Sequence, residues 1–190
     1  MYKQNRAVTP VISTILLVAI VVVLSATVSV AFLGVTETLT EPAPVVAYTT
    51  GEFEIGSGLD EQIVRITHSA GEDIEVEDME IVVRAYGSDP RLPDEVRLVN
   101  LPADSTTFCS NGVFAPKNFQ GDGNLISQSC VQNQVLTSTD SNTWSEGKTI
   151  QFRIRSNRAD FSAGGGADKL EVIIVHTPTD SIISEYVFQP

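Results

Sequence analysis

From Ala7 to Thr36 the chain carries no charged residue, and this one run limits what the rest can be. Its core, Val11 to Val35, is a run of 25 residues, apolar but for Ser, Thr and Gly. As an α-helix such a run measures about 38 Å at 1.5 Å per residue. The hydrocarbon layer of a bilayer is about 30 Å thick, so the helix spans it with some tilt. Lys3 and Arg6 lie on one flank, Glu37 and Glu41 on the other. The positive flank stays in the cytoplasm, which puts the bulk of the chain outside. Three fates fit: a discarded secretory signal, a permanent anchor, or a stave that packs with copies of itself. A signal has an apolar run of about 7–15 residues and a small-x-small cleavage site. Ser29-Val30-Ala31 offers such a site, but the run is long for a signal and continues through Phe32, Leu33 and Val35. Pro10 falls in the first turn, where it sacrifices no helical hydrogen bond and presets the backbone.

The chain has 190 residues, and the part beyond Pro44 is long enough for one ordinary domain with its own core. A hydrophobic content of 42% and a charged content of 19% exclude a disordered protein. Beyond Val35 there are 24 acidic and 10 basic residues, a formal charge of −14. That is a poor partner for nucleic acid, and it suits a chain kept dispersed by self-repulsion. Lys occurs only at 3, 117, 148 and 169. An acidic, lysine-poor surface is favoured in concentrated salt, where charges are screened within roughly 3 Å at 1 M. A halophilic source is the expectation, with an ordinary acidic secreted protein as the alternative.

The stretch RAVTPVISTILLVAIVVVLSATVSVAFLG, Arg6 to Gly34, resembles the N-terminus of archaeal type IV pilins, the haloarchaeal ones above all. The resemblance implies a short basic leader, removed on the cytoplasmic side by a membrane-bound prepilin peptidase, with the apolar segment retained. By position, Arg6 and Ala7 end the leader and Val8 begins the mature chain; a cut between Arg6 and Ala7 is the near alternative. Many bacterial pilins have Gly before the cut and Glu at the fifth mature position, where this chain has Ala7 and Ile12. Archaellin leaders usually end in Gly and lack the Val-x-Pro-Val run, which ranks filament motility lower. The runs VRITHSAGEDIEVEDMEIVVRAYG, WSEGKTIQFRI and DKLEVIIVHTPTDSIISEYVF resemble the outer part of the same family, in the same order. A helix apolar all round belongs in lipid or among other helices, and a pilin uses both in turn. Ser25 and Ser29, and Thr27 and Ala31, are four apart, a spacing that lets helices approach closely.

After the helix, TETLTEPAP reads as a helix end and a stiff exit. The organisation expected is a leader at 1–7, a hydrophobic helix at 8–36, a linker at 37–44 and an extracellular domain at 45–190. In that domain the period changes from helix to strand. VVAYT and EFEI lie on either side of Thr50-Gly51; EQIVRITH, MEIVVRAY, VRLVNL, TIQFRIR, KLEVIIVHT and SIISEYVF come after them. Ile150, Phe152 and Ile154 alternate with Gln151, Arg153 and Arg155. Ile173 to Val175 are apolar on both sides, the mark of a central strand. Eight or so short strands without intervening amphipathic helices predict an all-β antiparallel sandwich of immunoglobulin-like type.

Residues 102–148 are rich in Ser, Asn, Gln, Thr and Gly and read as a loop-rich insertion of long exposed loops, the first place to look for an adhesive contact. The only two cysteines, Cys109 and Cys130, lie in it. Outside the cell they most simply form a disulfide; free thiols or a bridge between subunits are the alternatives. Two cysteines without nearby histidines do not make a zinc site. His68 and His176 each end an expected strand. No G-x-S-x-G, phosphate loop or H-E-x-x-H occurs, and no N-x-S/T acceptor. The acidic run Glu72 to Glu80 lacks the ligand spacing of a calcium loop. GDGN at 121–124 reads as a turn, and Trp144 as core. No catalytic residue, cofactor or metal is expected.

The functional expectation is a structural, non-enzymatic subunit of an archaeal pilus for surface attachment. Its partners are copies of itself through the N-terminal helices, the prepilin peptidase, the assembly platform and, before assembly, membrane lipid. It first resides in the cell membrane with its N-terminus inside, and then in an extracellular pilus. The alternative is a single-span surface protein whose domain binds a ligand without polymerising.

Overall fold

The structure is a computed structural model and describes residues 8–36, 42–56, 62–92, 95–103, 114–127, 136 and 142–190. The chain divides into two compact units, Met1–Glu41 and Pro42–Pro190. In the first, one helix, α1, spans Val8–Thr36. Its Val-rich sequence is a mediocre helix former in water. Without water, a segment lacking other partners satisfies its backbone groups only as a helix. Within α1, Val11–Val30 is long and apolar enough to cross a membrane.

The second unit is built from strands. These are β1 (Val46–Ile55), β2 (Gln62–Gly71), β3 (Ile74–Glu75), β4 (Met79–Gly87), β5 (Val96–Leu98), β6 (Phe119–Gly121), β7 (Thr143–Trp144), β8 (Thr149–Ile154), β9 (Ala167–His176) and β10 (Ser181–Phe188). One sheet has the order β1-β2-β8, a second β10-β9-β4-β5-β6, and β3 pairs with β7 in a small ribbon. Every pairing of the named strands is antiparallel. The two larger sheets share one core: Val64, Ile66, Ile150, Phe152 and Ile154 from the first meet Ile81, Val83, Val96, Leu98, Leu170, Val172 and Ile174 from the second. Alternation produces this. In β8, Ile150, Phe152 and Ile154 are buried while Gln151 and Arg153 are partly exposed.

In chain order the sheets read A-B-E against G-F-C-C′-C″, the strand order of a variable-type immunoglobulin sandwich. Strand D is reduced to a single antiparallel bridge, Ile126 on Ile154. Two backbone bonds fix it, Ser127 N to Arg153 O at 2.8 Å and Arg155 N to Leu125 O at 2.9 Å. The helix followed by antiparallel sheets is therefore as the sequence pattern predicts, and β9 is central as expected.

Three details differ. The two runs on either side of Thr50-Gly51 are one strand; β1 runs straight through that dipeptide, paired with β2 from Val46 to Ile55. His68 lies inside β2 and is fully buried, not at a strand end. Residues 102–148 are not merely exposed loops. Ala103, Phe114, Leu125, Ile126, Leu136 and Trp144 are all buried in the core, and β6 extends the larger sheet. Apolar residues standing singly or in twos and threes at wide spacing carry no period, so the pattern hid their burial.

Candidate functional site

The feature that demands a partner is α1. Every large apolar side chain from Val11 to Val30 is more than half exposed. A continuous apolar surface of that size does not persist in water. The few polar side chains on it are closed in on the helix itself. Thr14 donates its hydroxyl to Val11 O (2.9 Å), Ser25 to Val22 O (2.9 Å), Thr27 to Leu24 O (2.9 Å) and Ser29 to Ser25 O (2.7 Å). Such back-bonding satisfies a hydroxyl without water, so these positions resist neither lipid nor a protein interior. Val8, the residue expected to begin the mature chain, is the first residue of α1. Arg6 and Ala7 lie outside the described residues, as do Cys109 and Cys130. The segments that carry the two cysteines are joined at one described point, where Ala103 N donates to Leu136 O at 2.7 Å.

On the outward face of the larger sheet runs a chain of ion pairs that the sequence pattern did not announce. Arg97 donates from Nη1 to Glu80 (2.8 Å) and from Nε to Glu95 (2.6 Å). Arg84 donates from Nε to Glu95 (2.8 Å) and from Nη1 to Glu171 (3.2 Å). Glu171 also accepts the Tyr86 hydroxyl (3.0 Å), and Lys169 Nζ sits 3.9 Å from the Tyr86 ring centroid. The Arg97 hydrogen bond, with Arg84 behind it, holds Glu95 below the ordinary carboxylate range. Glu95 and then Glu171 raise Arg84 further. Burial pushes Glu171 up, but Tyr86 and Arg84 prevail and its pKa is lowered. Val82 and Ile173 are partners in register on this outward face and yet are buried. Arg97 is the register partner of Val82 on β5, and Arg84 lies two residues along the same face of β4; the aliphatic stems of such side chains cover apolar neighbours. The signal was legible in outline: charged residues at 80, 84, 97 and 171 all fall on the phase opposite the core positions.

Elsewhere polar groups bind the fold together. Gln62, buried at the start of β2, donates from Nε2 to Ala159 O (2.7 Å) and accepts Phe161 N (2.7 Å). Asn118 ties Ala115, Val99 and Asn100 together through both ends of its amide. Asp122, in the GDGN turn, caps a short helical turn at Asn124 N (3.1 Å) and pairs with Arg158. His68 bonds Glu72 O through Nε2 (3.0 Å) and meets the buried Trp144 edge to face, centroids 5.1 Å apart. His176 Nδ1 and the Thr179 hydroxyl close the β9–β10 turn (2.8 Å). Among the described residues no three His, Cys, Asp or Glu side chains gather into a metal-binding group. An open cleft of about 630 Å³ is lined in part by Ile55, Phe161, Ser162, Gly165 and the carboxylate-bearing Asp168.

The arrangement among the described residues is thus one uncovered apolar helix and an acidic β domain in which the polar side chains named above bond within the fold. No protein-family model matches the chain, and no curated protein matches it.

Proposed function

We propose that the chain is a structural subunit of a type IV pilus of the archaeal kind, polymerised through α1. One observation carries this reading. α1 is apolar on all sides over Val11–Val30 and uncovered, whereas the domain after it is a self-contained β fold. A lone anchor needs apolar surface only towards lipid, and so does a stave before assembly; a stave then exchanges lipid for neighbouring helices on every side. The stretch of sequence from Arg6 to Gly34, with its basic leader ahead of the apolar run, favours the stave. The strongly acidic head keeps the assembled fibre dispersed. Attachment to surfaces is the use proposed for it.

The test is the N-terminus of the mature chain. Cells are sheared, the released surface material is sized, and the N-terminal peptide is read by mass spectrometry. A chain starting at Val8 or Ala7 in a high-molecular-weight fraction is expected. An intact Met1 in the membrane fraction would make α1 an anchor, and a start near Phe32 a discarded signal; either sinks the pilin reading.

A further inference from the structure

The outward face of the larger sheet reads in rows, because register partners on neighbouring strands share a face. One row runs Glu185, Ile173, Val82, Arg97 across β10, β9, β4 and β5. The next runs Val187, Glu171, Arg84, and the one beyond it holds Lys169 and Tyr86. On the other side of the first row lie Ile182, Val175 and Glu80. With Glu95, which bonds both arginines, the face carries four carboxylates and three cations. It is thus nearly neutral, whereas the chain beyond Val35 has a formal charge of −14. Two of its charges are not satisfied within the fold. Glu185 is exposed, and its carboxylate has no ion pair or hydrogen bond among the described residues. Arg97, its side chain 41% exposed, uses Nε on Glu95 and Nη1 on Glu80, and its Nη2 has no partner among the described residues. Ile182 and Val187, on either side of Glu185 along β10, are 60% and 49% exposed.

The first row is its own complement. A two-fold axis along the strands, between β9 and β4, exchanges β10 with β5 and β9 with β4. Stacked about that axis on a second copy, Glu185 faces Arg97 of the second copy, and Ile173 faces its Val82. In the next row Glu171 faces Arg84 of the second copy, and in the one beyond Lys169 faces its Tyr86, a cation on a ring. Stacked sheets keep their strands within about 30° of each other, so rows near the axis stay opposed. We infer that this face pairs two copies of the chain through the Glu185–Arg97 contact, made twice. The occupant is a second copy because the row, acid to base, is matched when read in reverse against itself. Away from this face the acidic surfaces of two copies repel. Val82 and Ile173 are already buried, so charge matching rather than apolar burial directs the pair. Four strands about 4.8 Å apart and seven residues of about 3.3 Å make a face of about 19 by 23 Å. That is small beside the roughly 1,200 Å² of a stable interface, and the pair is weak and reversible. An isologous contact closes on two copies and does not propagate a fibre. The inference rests on the β domain alone and depends neither on α1 nor on the pilin reading.

The full chain is purified in detergent, with micelles in excess so that the helices of two copies do not share one. Pairing is read by sedimentation up to a chain concentration of about 1 mM. Glu185→Arg brings two guanidinium groups together at each end of the pair, and Arg97→Glu brings two carboxylates together. Each variant alone is expected to pair about tenfold more weakly, or worse. An equal mixture of the two is expected to pair as well as the unaltered chain, because every cation then faces a carboxylate. Equal pairing in all samples, as association through α1 would give, overturns the inference, and so does an unaltered chain that stays single throughout. A second measurement does not depend on a charge-reversed chain folding. Arg97→Lys keeps the charge and offers carbodiimide an amine. Isotope-labelled and unlabelled copies of that variant are mixed, and a linked peptide of mixed mass joining positions 97 and 185 is expected. Links from position 97 only to Glu80 and Glu95 of the same copy overturn the pairing. The N-terminal peptide of the mature chain decides the pilin reading separately.

Discussion

A Cβ placed on Gly51 would lie 2.5 Å from Cδ1 of Tyr186, so the backbone of β1 and the ring carried by β10 are in direct contact with no side chain between them. The ring has little freedom to withdraw. Its hydroxyl bonds Thr49 (2.7 Å), and it stacks on Phe188 at 12° with centroids 5.8 Å apart. Phe53 continues the seam against Phe188 and Phe161. An unstrained Gly→Ala change usually stabilises by up to about 1 kcal/mol through the unfolded chain. Here overpacking, of the order of 1–3 kcal/mol, is expected to win. Gly51→Ala should lower the denaturant midpoint of the full chain in detergent, and Gly51→Val should lower it more. In a Tyr186→Leu background Gly51→Ala should cost markedly less, because the clash has gone. Equal losses in both backgrounds would remove the seam as the cause.

Gln62 is the buried knot between β2 and the β8–β9 connection, bonded to Ala159 O and Phe161 N. Replacing it by Leu leaves a buried carbonyl and a buried N–H without their partner, each worth about 1–3 kcal/mol. Gln62→Leu should therefore destabilise by about 3 kcal/mol in urea, despite its greater apolar character. A loss below about 1 kcal/mol would show that water replaces the amide there.

The extent to which the sequence revealed these features depends on periodicity. Ile81 and Val83, Ile150 and Phe152, and Leu170 and Val172 alternate with polar residues, and they build the two faces of the core as read. The apolar run of α1 was equally plain. Gly51 divided β1 into two runs, because a glycine in a strand pattern marks either a break or a close approach, and only the distant Tyr186 decides between them. Phe114, Leu125 and Leu136 stand in apolar stretches of two or three residues within polar sequence, too short to show a period, so their burial depends on partners that local pattern does not reveal. Gln62 and Asn118 were silent for the same reason: nothing near them in the sequence indicates which backbone groups they satisfy. The uncovered apolar helix α1 is legible because its uniform composition needs no tertiary context.

The ion-pair chain predicts a specific acid response. Glu95 and Glu171 have folded pKa values below the ordinary 4.5. Asp122 and Asp160 lie below 3.8, the first because its bonds to Asn124 and Arg158 outweigh burial, the second through Ser162. Asp89 is lowered to about 2, first by the side-chain bonds from Arg91. A carboxylate whose pKa is depressed by folding contributes stability above its unfolded value and loses it as pH falls through the folded one. Stability should decline from about pH 4.5 downward, to about pH 2 where Asp89 protonates. The comparison that isolates the chain is with Arg84→Met. The variant should be less stable at pH 7, by no more than about 1 kcal/mol for each half-exposed pair, and the gap should close by pH 2. A gap that widens on acidification would contradict the assignment.

Ala103 and Leu136, both fully buried, are joined by the bond from Ala103 N to Leu136 O. Cys109 lies six residues after the first and Cys130 six before the second. Two cysteines alone in a chain outside the cell most simply bridge each other. Closing a loop of about 22 residues contributes on the order of 3 kcal/mol when unstrained. Peptide mapping without reductant should yield one linked peptide containing Cys109 and Cys130. Cys109→Ser and the double serine variant should each lower stability by a similar amount, about 3 kcal/mol, because either removes the same link. Free thiols at both positions would refute the bridge. Linked peptides joining Cys109 to Cys109 of a second copy would move it to the subunit interface, where its loss would weaken the assembly and leave the isolated chain as stable as before.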